Sequence, residues 1–281
     1  MPGDQQDSTH HQFAGHDIER IRAETFVQRI EYHQQLGSTN DRALQIAHGT
    51  DDRFPLLVLT SSQTSGRGRG ANTWWSSSGS LTFSVMVATE AAELPTERWP
   101  QVSLTVGLAV CEALEQLLTL GVPTASLATL PSVQLKWPND VYIEGKKICG
   151  VLVEVPKNCP GKLLLGIGIN INNSLENAPD QLQHIATSLV DLTGRRFLLA
   201  DVLIDVLRRL ATRLEPTTFW NSDVLAGWRQ RCFLTGKQIE IDNDTHHTSG
   251  SCRGIDDDGA LLIAARTTTT RHLAGVVTIL D

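Results

Sequence analysis

The chain has 281 residues, enough to bury a substantial core and to hold one large domain with a smaller one. Its 41% hydrophobic and 20% charged content is that of an ordinary globular protein. A formal charge of −7 argues against a general nucleic-acid binder, which needs a basic excess.

Five cysteines (Cys111, Cys149, Cys159, Cys232 and Cys252) are odd in number and contain no C-x-x-C pair. That speaks against a disulfide framework or a zinc site and for a reducing cytosol. His246-His247 lies among Asp, Asn and Thr and reads as a polar loop rather than a metal site. No basic-then-apolar leader is present, and no uninterrupted apolar run approaches the roughly 20 residues of a membrane span. The expectation is a cytoplasmic protein with no membrane partner.

Taken in order, residues 1–17 are polar and read as a flexible tail. A short helix is predicted over 18–28 and a strand over IEYHQQL (30–36). GSTNDRALQIA then starts a helix, with Ser38 and Asp41 at capping-box spacing. FPLLVLTSS (54–62) and SLTFSVMVA (80–88) are strands. From Gln101 to about Leu120, apolar residues recur at three and four positions, predicting an amphipathic helix. Residues 121–131 are loop-like.

VQLKW (133–137) is a strand stopped by Pro138, and VYI with KICGVLVEV forms a hairpin about Glu144-Gly145. KLLLGIGININ (162–172) is a further strand, and helices follow over Leu199–Leu214 and Val224–Arg231. After Cys232 the texture changes to short strands with turns at Gly236, Gly250 and Gly259, the pattern of a small β-barrel. The predicted organisation is a flexible segment 1–29, a main domain 30–231 and a barrel 232–281.

Three stretches carry polar chemistry in unusual settings. In GIGININ (166–172), Ile167, Ile169 and Ile171 share one strand face, and Gly166, Gly168, Asn170 and Asn172 share the other. Glycines there serve either tight helix-on-sheet packing or a flat ligand-facing floor. In LKWPND (135–140), Lys136 and Trp137 point to opposite faces, so a packed Trp137 aims Lys136 away from the core; a solvated lysine is the plain alternative. In QTSGRGRGANTWW (63–75), Gly66, Gly68 and Gly70 let backbone N–H groups converge on an anion, while Arg67 and Arg69 add guanidinium forks. G-K-[ST] and a helix-opening G-x-G-x-x-G are both missing. Strands and aromatic residues bracket the loop, which favours an ordered phosphate loop over a disordered RNA-binding segment.

The order of STN (38–40), Q-x-x-GRGR (63–69) with Trp74, KWPND (136–140), KICGVL (147–152) and GIGIN (166–170) resembles the biotin–protein ligase family over about residues 30–281. GSCRGIDDDGALLI (250–263) is similar to that family's C-terminal barrel. The resemblance implies an α+β fold: a mixed β-sheet packed with helices, class II synthetase-like, plus an SH3-like β-barrel. It implies that the protein activates biotin with ATP and Mg2+ to biotinyl-5′-AMP. The biotinyl group then passes to one lysine of a biotin carboxyl carrier protein domain.

On that resemblance, Ser38, Thr39, Asn40 and Gln63 face the ureido ring. Gly150, Gly166 and Gly168 line the apolar slot. Gly66, Arg67, Gly68 and Arg69 hold the carboxylate and α-phosphate, and Lys136 reaches the same oxygens, so Arg67, Arg69 and Lys136 are the catalytic set. Trp74, Asn139 and Asn170 complete the adenylate site, and Asp140 is the candidate Mg2+ ligand. Ala71 and Asn72 stand where the family often has glycine and arginine, which removes one positive charge, and Trp75 is an extra aromatic residue.

The short segment before the first strand leaves no room for a helix-turn-helix domain, so sequence-specific DNA binding is not expected. Oligomeric state stays open, a homodimer included. The competing readings are a lipoate-type ligase with the same adenylate chemistry and a non-catalytic biotin-sensing or RNA-binding module.

Overall fold

The computed structural model describes residues 13–47, 53–88, 98–120, 122–123, 126, 129–156, 161–243, 247–265 and 268–280. Most of the expected N-terminal tail, much of 121–131, Cys159 and His246 lie outside them. The chain divides into two compact units, Met1–Glu93 with Lys146–Thr212, and Leu94–Gly145 with Arg213–Asp281.

The first unit opens with α1 (Gly15–Glu24), β1 (Arg29–Leu36), α2 (Thr39–Ala47), β2 (Leu56–Gln63) and β3 (Leu81–Ala88). The second begins with α3 (Trp99–Thr119), β4 (Val133–Lys136) and β5 (Asp140–Ile143). The chain returns to the first for β6 (Lys146–Glu154), β7 (Lys162–Ile169), the short helices α4 (Asp180–Gln183) and α5 (Leu189–Thr193), and α6 (Leu199–Arg213). It ends in the second with α7 (Ser222–Arg231) and β8 (Gln238–Asp242), β9 (His247–Ile255), β10 (Leu261–Ala265), β11 (Thr268–His272) and β12 (Val276–Ile279).

The strands of the first unit run in the order β1-β2-β3-β7-β6. β1 and β2 are parallel, joined through α2, and the remaining pairs are antiparallel. Register places Leu56, Met86, Leu164 and Glu154 in one row across the sheet. Val58, Ser84, Gly166 and Leu152 form the next row, and Thr60, Thr82, Gly168 and Gly150 the third. Ala43 and Ile46 of α2 pack on Leu56, Val58, Met86 and Leu164, so the helix covers the apolar end of this face and stops short of the glycine end. The opposite face, with Leu57, Leu59, Phe83, Val85, Leu165 and Ile167, is fully buried, as the alternation in the sequence requires.

In the second unit α3 is apolar and long enough to cross a membrane, yet 72% of its most apolar window is buried, the condition of a core helix. Glu112 and Glu115 on its polar side pair with Arg213 and Arg231 at 2.5 Å and 2.8 Å. Asn221 caps α7 by accepting from the amides of Asp223 and Val224.

The expected C-terminal strands form a five-stranded antiparallel sheet of order β11-β10-β9-β8-β12, with Ile239, Ile241, Cys252, Leu261 and Ile263 in its core. Three local expectations change: the first helix spans Gly15–Glu24 rather than 18–28, with Phe13 before it buried instead of in a flexible tail, and two more differences lie in this sheet. Gly250 lies inside β9 rather than at a turn, because a Cβ there would stand 2.3 Å from the Ala264 carbonyl oxygen. β11, TTTRH, is an added strand that pairs with β10.

Candidate active site

Ser38, Thr39 and Asn40 sit where β1 gives way to α2, and all three are buried. Ser38 Oγ accepts from the Asp41 amide at 3.5 Å, a long N-terminal cap. Gln63 at the end of β2 uses its Oε1 to accept both the Thr39 amide (2.7 Å) and the Thr39 hydroxyl (3.1 Å). Ser84 of β3 lies within hydrogen-bond reach of Thr39 Oγ1 (2.7 Å) and of Asn40 Oδ1 (2.5 Å). Asn40 Nδ2 donates to Glu154 Oε2 at 2.7 Å. One connected polar network therefore fixes the turn that the sequence identified by STN alone.

The arginine loop closes as a small hairpin. Arg67 pairs with Thr73, the Gly68 amide donates to the Asn72 carbonyl at 2.8 Å, and the Trp74 amide donates to the Gly66 carbonyl at 3.0 Å. The Gly68 amide thus serves the hairpin and is not one of the converging anion donors expected from the sequence. Arg67 points toward protein carboxylates. Its Nη2 donates to Glu154 Oε1 at 2.7 Å, and its Nη1 to Asp41 Oδ1 at 2.8 Å and Glu154 Oε2 at 3.2 Å. Burial works against the charged guanidinium, but the two carboxylates outweigh it, and the pKa of Arg67 stands above the ordinary arginine value.

The glycines of the floor are explained by close approach. A Cβ on Gly168 would stand 2.3 Å from Trp74 Cε2, and one on Gly166 would stand 2.3 Å from Asn40 Oδ1. The Trp74 indole lies directly on Gly168 and within van der Waals reach of Gly150, and its buried Nε1 has no acceptor among the described residues. The ammonium of Lys147 is also beside Gly150, 3.2 Å from where its Cβ would be.

Asn170 and Asn172, at the far end of the glycine face, have their side chains occupied within the protein. Asn170 donates to the Thr187 carbonyl and accepts from Asn173, both at 3.0 Å. Asn172 brackets Phe197 with bonds of 2.7 Å and 2.9 Å.

Lys136, Asn139 and Asp140 belong to the second unit. Trp137 is buried, and its indole N–H donates to the Gly259 carbonyl at 3.0 Å. Lys136 leaves that core on the opposite side, as the strand alternation predicts. Its Nζ lies 3.4 Å from Tyr142 Oη and 5.3 Å from the ring centroid. Burial, helped by Asp140, raises the Tyr142 hydroxyl pKa above its ordinary value, so this hydroxyl stays neutral. Among the described residues no group of three or more His, Cys, Asp or Glu could enclose a metal ion.

The sequence reading missed Ser84, Lys147 and Glu154 as site residues. The available signal was modest: a serine in a mostly apolar strand, a glutamate that alternation alone puts on the face of Gly150, and a lysine whose approach to Gly150 no local pattern announces.

Residues 33–172 match the Biotin/lipoate A/B protein ligase family. The chain is 30% identical over 230 residues to the biotin--[acetyl-CoA-carboxylase] ligase of Mycobacterium tuberculosis, which covers 82% of this chain and 80% of that protein. It is 31% identical over 236 residues to the biotin--[acetyl-CoA-carboxylase] ligase of Paracoccus denitrificans, with 80% and 90% covered. The solved biotin protein ligase from Aquifex aeolicus in complex with biotin and ATP aligns with a TM-score of 0.75 at 27% identity, over 90% of this chain and 99% of that one. Shared length, shared fold and the motifs placed on the glycine-floored face agree that the chain belongs to the biotin–protein ligase family.

Proposed function

We infer that the protein is an ATP-dependent biotin–protein ligase. A biotin carboxylate oxygen attacks the α-phosphorus of MgATP, the bond to pyrophosphate breaks, and biotinyl-5′-AMP forms. The ε-amine of a carrier lysine then attacks the acyl carbon, AMP leaves, and the amine loses a proton to solvent. The acceptor is a biotin carboxyl carrier domain of a biotin-dependent carboxylase, the substrate type named for the mycobacterial and Paracoccus relatives.

The observation that carries this reading is the glycine end of the first unit's sheet, against which Trp74 and Asn40 approach closely. It is flanked by a hydrogen-bonded Ser38-Thr39-Asn40 turn on one side and an arginine loop on the other. Biotin has an apolar bicycle, a polar ureido group and an anionic tail, and this face offers matching surfaces. Ser38, Thr39, Asn40 and Gln63 take the ureido group, and Trp74, which lies on Gly168 and Gly150, takes the apolar body together with the Gly166 row beside it.

Arg69 and Lys147 hold the mutually repelling carboxylate and α-phosphate, with Gly66, Arg67 and Gly68 shaping the loop. Lys136 and Asn139 are assigned to the nucleotide chemistry on the KWPND resemblance. Mg2+ arrives with ATP, and a single carboxylate such as Asp140 suits an ion held chiefly by phosphates. Asn170 supports the end of the floor. Residues 30–231 are the catalytic domain and 232–281 the C-terminal domain. Cys111, Cys149, Cys232 and Cys252 are buried thiols that form no disulfide among the described residues, which suits the cytoplasm.

The test is labelling of a purified carrier domain, read by streptavidin blot, with biotin and ATP each omitted in turn. Labelling must require both, and Arg69→Ala and Lys136→Ala must each lower its rate by about 100-fold with the fold intact. An inert wild-type protein, or near-normal rates in both variants, would refute the reading. Lipoate supplied in place of biotin separates the two substrates covered by the family description.

A further inference from the structure

Arg67 is one of two guanidiniums in the loop, yet its fork faces the protein's own acids. Both of its terminal nitrogens contact Glu154, and Nη1 also contacts Asp41. A substrate carboxylate or phosphate at that fork would lie beside two negative charges and would have to displace at least one of them. Glu154 is saturated in turn. Oε1 accepts from Arg67, and Oε2 accepts from Arg67 and from Asn40 Nδ2. Asn40 is held on its other side by Ser84 at 2.5 Å. Asn40 and Asp41 belong to the first turn of α2, Glu154 ends β6, and Arg67 stands at the base of the loop hairpin. All lie within the first unit.

We propose that Glu154 is a positioning residue that, through Arg67 and Asn40, clamps the arginine loop to the start of α2 and so preforms the anion site before substrate arrives. The proposal rests on the ligase reading above. It gives the two arginines different work: Arg67 holds the loop, and Arg69 serves the anions. Bidentate guanidinium–carboxylate geometry suits a clamp because it fixes direction as well as distance. Its loss lowers the fraction of molecules with a formed loop. Apparent substrate affinity falls by that fraction, while saturating substrate restores the ordered state and most of kcat.

The test uses the full chain and three variants: Glu154→Gln, Arg67→Lys and the double Glu154→Gln/Arg67→Lys. The first readout is limited trypsinolysis in the absence of substrate, followed by mass spectrometry of cleavage after Arg69. The expected result is cleavage roughly tenfold faster in Glu154→Gln than in wild type, since a charge-assisted pair has been removed. The second readout is carrier labelling. KM for biotin should rise about tenfold in Glu154→Gln with kcat held within about twofold, and the double variant should be no worse than the poorer single one.

Unchanged cleavage and KM in Glu154→Gln would overturn the clamp. So would additive losses, or a kcat collapse in Arg67→Lys with normal cleavage, which would make Arg67 itself a catalytic residue. Arg67 is 38% exposed and Arg67→Lys retains the charge, so this variant still reports if Glu154→Gln fails to fold. A wild-type protein that labels no carrier would sink the ligase reading, and the proteolysis arm would still decide the clamp.

Discussion

Gly166→Ala tests the idea that the site is built by rigid close approach. An alanine Cβ at 166 would stand 2.3 Å from Asn40 Oδ1 and 2.9 Å from Asn40 Cγ and Nδ2, where ordinary contact begins at 3.4 Å. Asn40 must retreat by about 1.1 Å, the difference between 3.4 and 2.3. Added to its 2.5 Å bond to Ser84 and its 2.7 Å bond to Glu154, that retreat takes both out of hydrogen-bonding range. One neutral bond and one charge-assisted bond are lost, together about 2.5–4 kcal/mol. Replacing glycine in a strand returns about 0.5–1 kcal/mol. The net cost is therefore about 2–3 kcal/mol. For a protein of this size each kcal/mol lowers Tm by about 2–4 °C, so the expected shift is about 4–12 °C. The assay is thermal unfolding paired with calorimetric titration of biotin, whose affinity should fall with the turn disrupted. Asn40→Ala provides the control, because once the obstacle is removed Gly166→Ala should add almost nothing. A Tm within about 1 °C of wild type and normal biotin affinity in Gly166→Ala would refute the reasoning.

Gly168→Ala meets a different neighbour, the Trp74 ring, at 2.3 Å. It should shift the loop hairpin and weaken biotin binding at least tenfold with a smaller loss of Tm than Gly166→Ala, because an indole that starts half-buried is displaced without breaking a hydrogen bond; equal Tm losses in the two variants would contradict this. Asp256 supplies a pH dependence. Burial pushes its pKa up, but Arg271 and the amides of Ala260 and Asp258 outweigh that and hold it below the ordinary 3.8. Its contribution is therefore fully present above about pH 3.8 and disappears as pH falls through the lower folded value. The Tm gap between wild type and Asp256→Asn should close on acidification from pH 6 to 2, and a gap that widens would contradict the sign.

What the sequence made legible was whatever a single segment encodes. Alternation in KLLLGIGININ separates Ile167 and Ile169 from Gly166 and Gly168 without reference to any other strand, and the structure has that division. Packing of Trp137 and departure of Lys136 on the other side follow from the same two-residue period. What remained hidden depended on register between segments. Ser84 becomes a site residue because it is opposite Gly166, a relation that no single strand holds, and Glu154, on the face of Gly150 by alternation alone, because Arg67 and Asn40 reach it from other segments. Gly250 was misread for a related reason. In isolation a glycine signals a turn, whereas here the demand is room for a neighbouring strand's carbonyl. Similarly, the GRGR loop signalled anion binding by composition, but the partners of Arg67 are carboxylates from α2 and β6 that no local pattern predicts.

The row structure of the first unit's sheet explains why polar residues so close to a hydrophobic core do not weaken it. Rows along a strand face are two residues apart, about 6.6 Å. Within one such step the face passes from Leu164, under the apolar side of α2, to Gly166, against Asn40. A second step reaches Gly168, under Trp74. The first row is sealed by aliphatic contacts, and the second by a network in which Asn40, Ser84, Thr39 and Gln63 satisfy one another. The third is covered by Trp74 from the loop hairpin, which Arg67 ties back to Asp41 and Glu154. The aliphatic packing of α2 thus lies one row from the polar turn and two rows from Trp74, so the helix keeps its core independently of the chemistry at either.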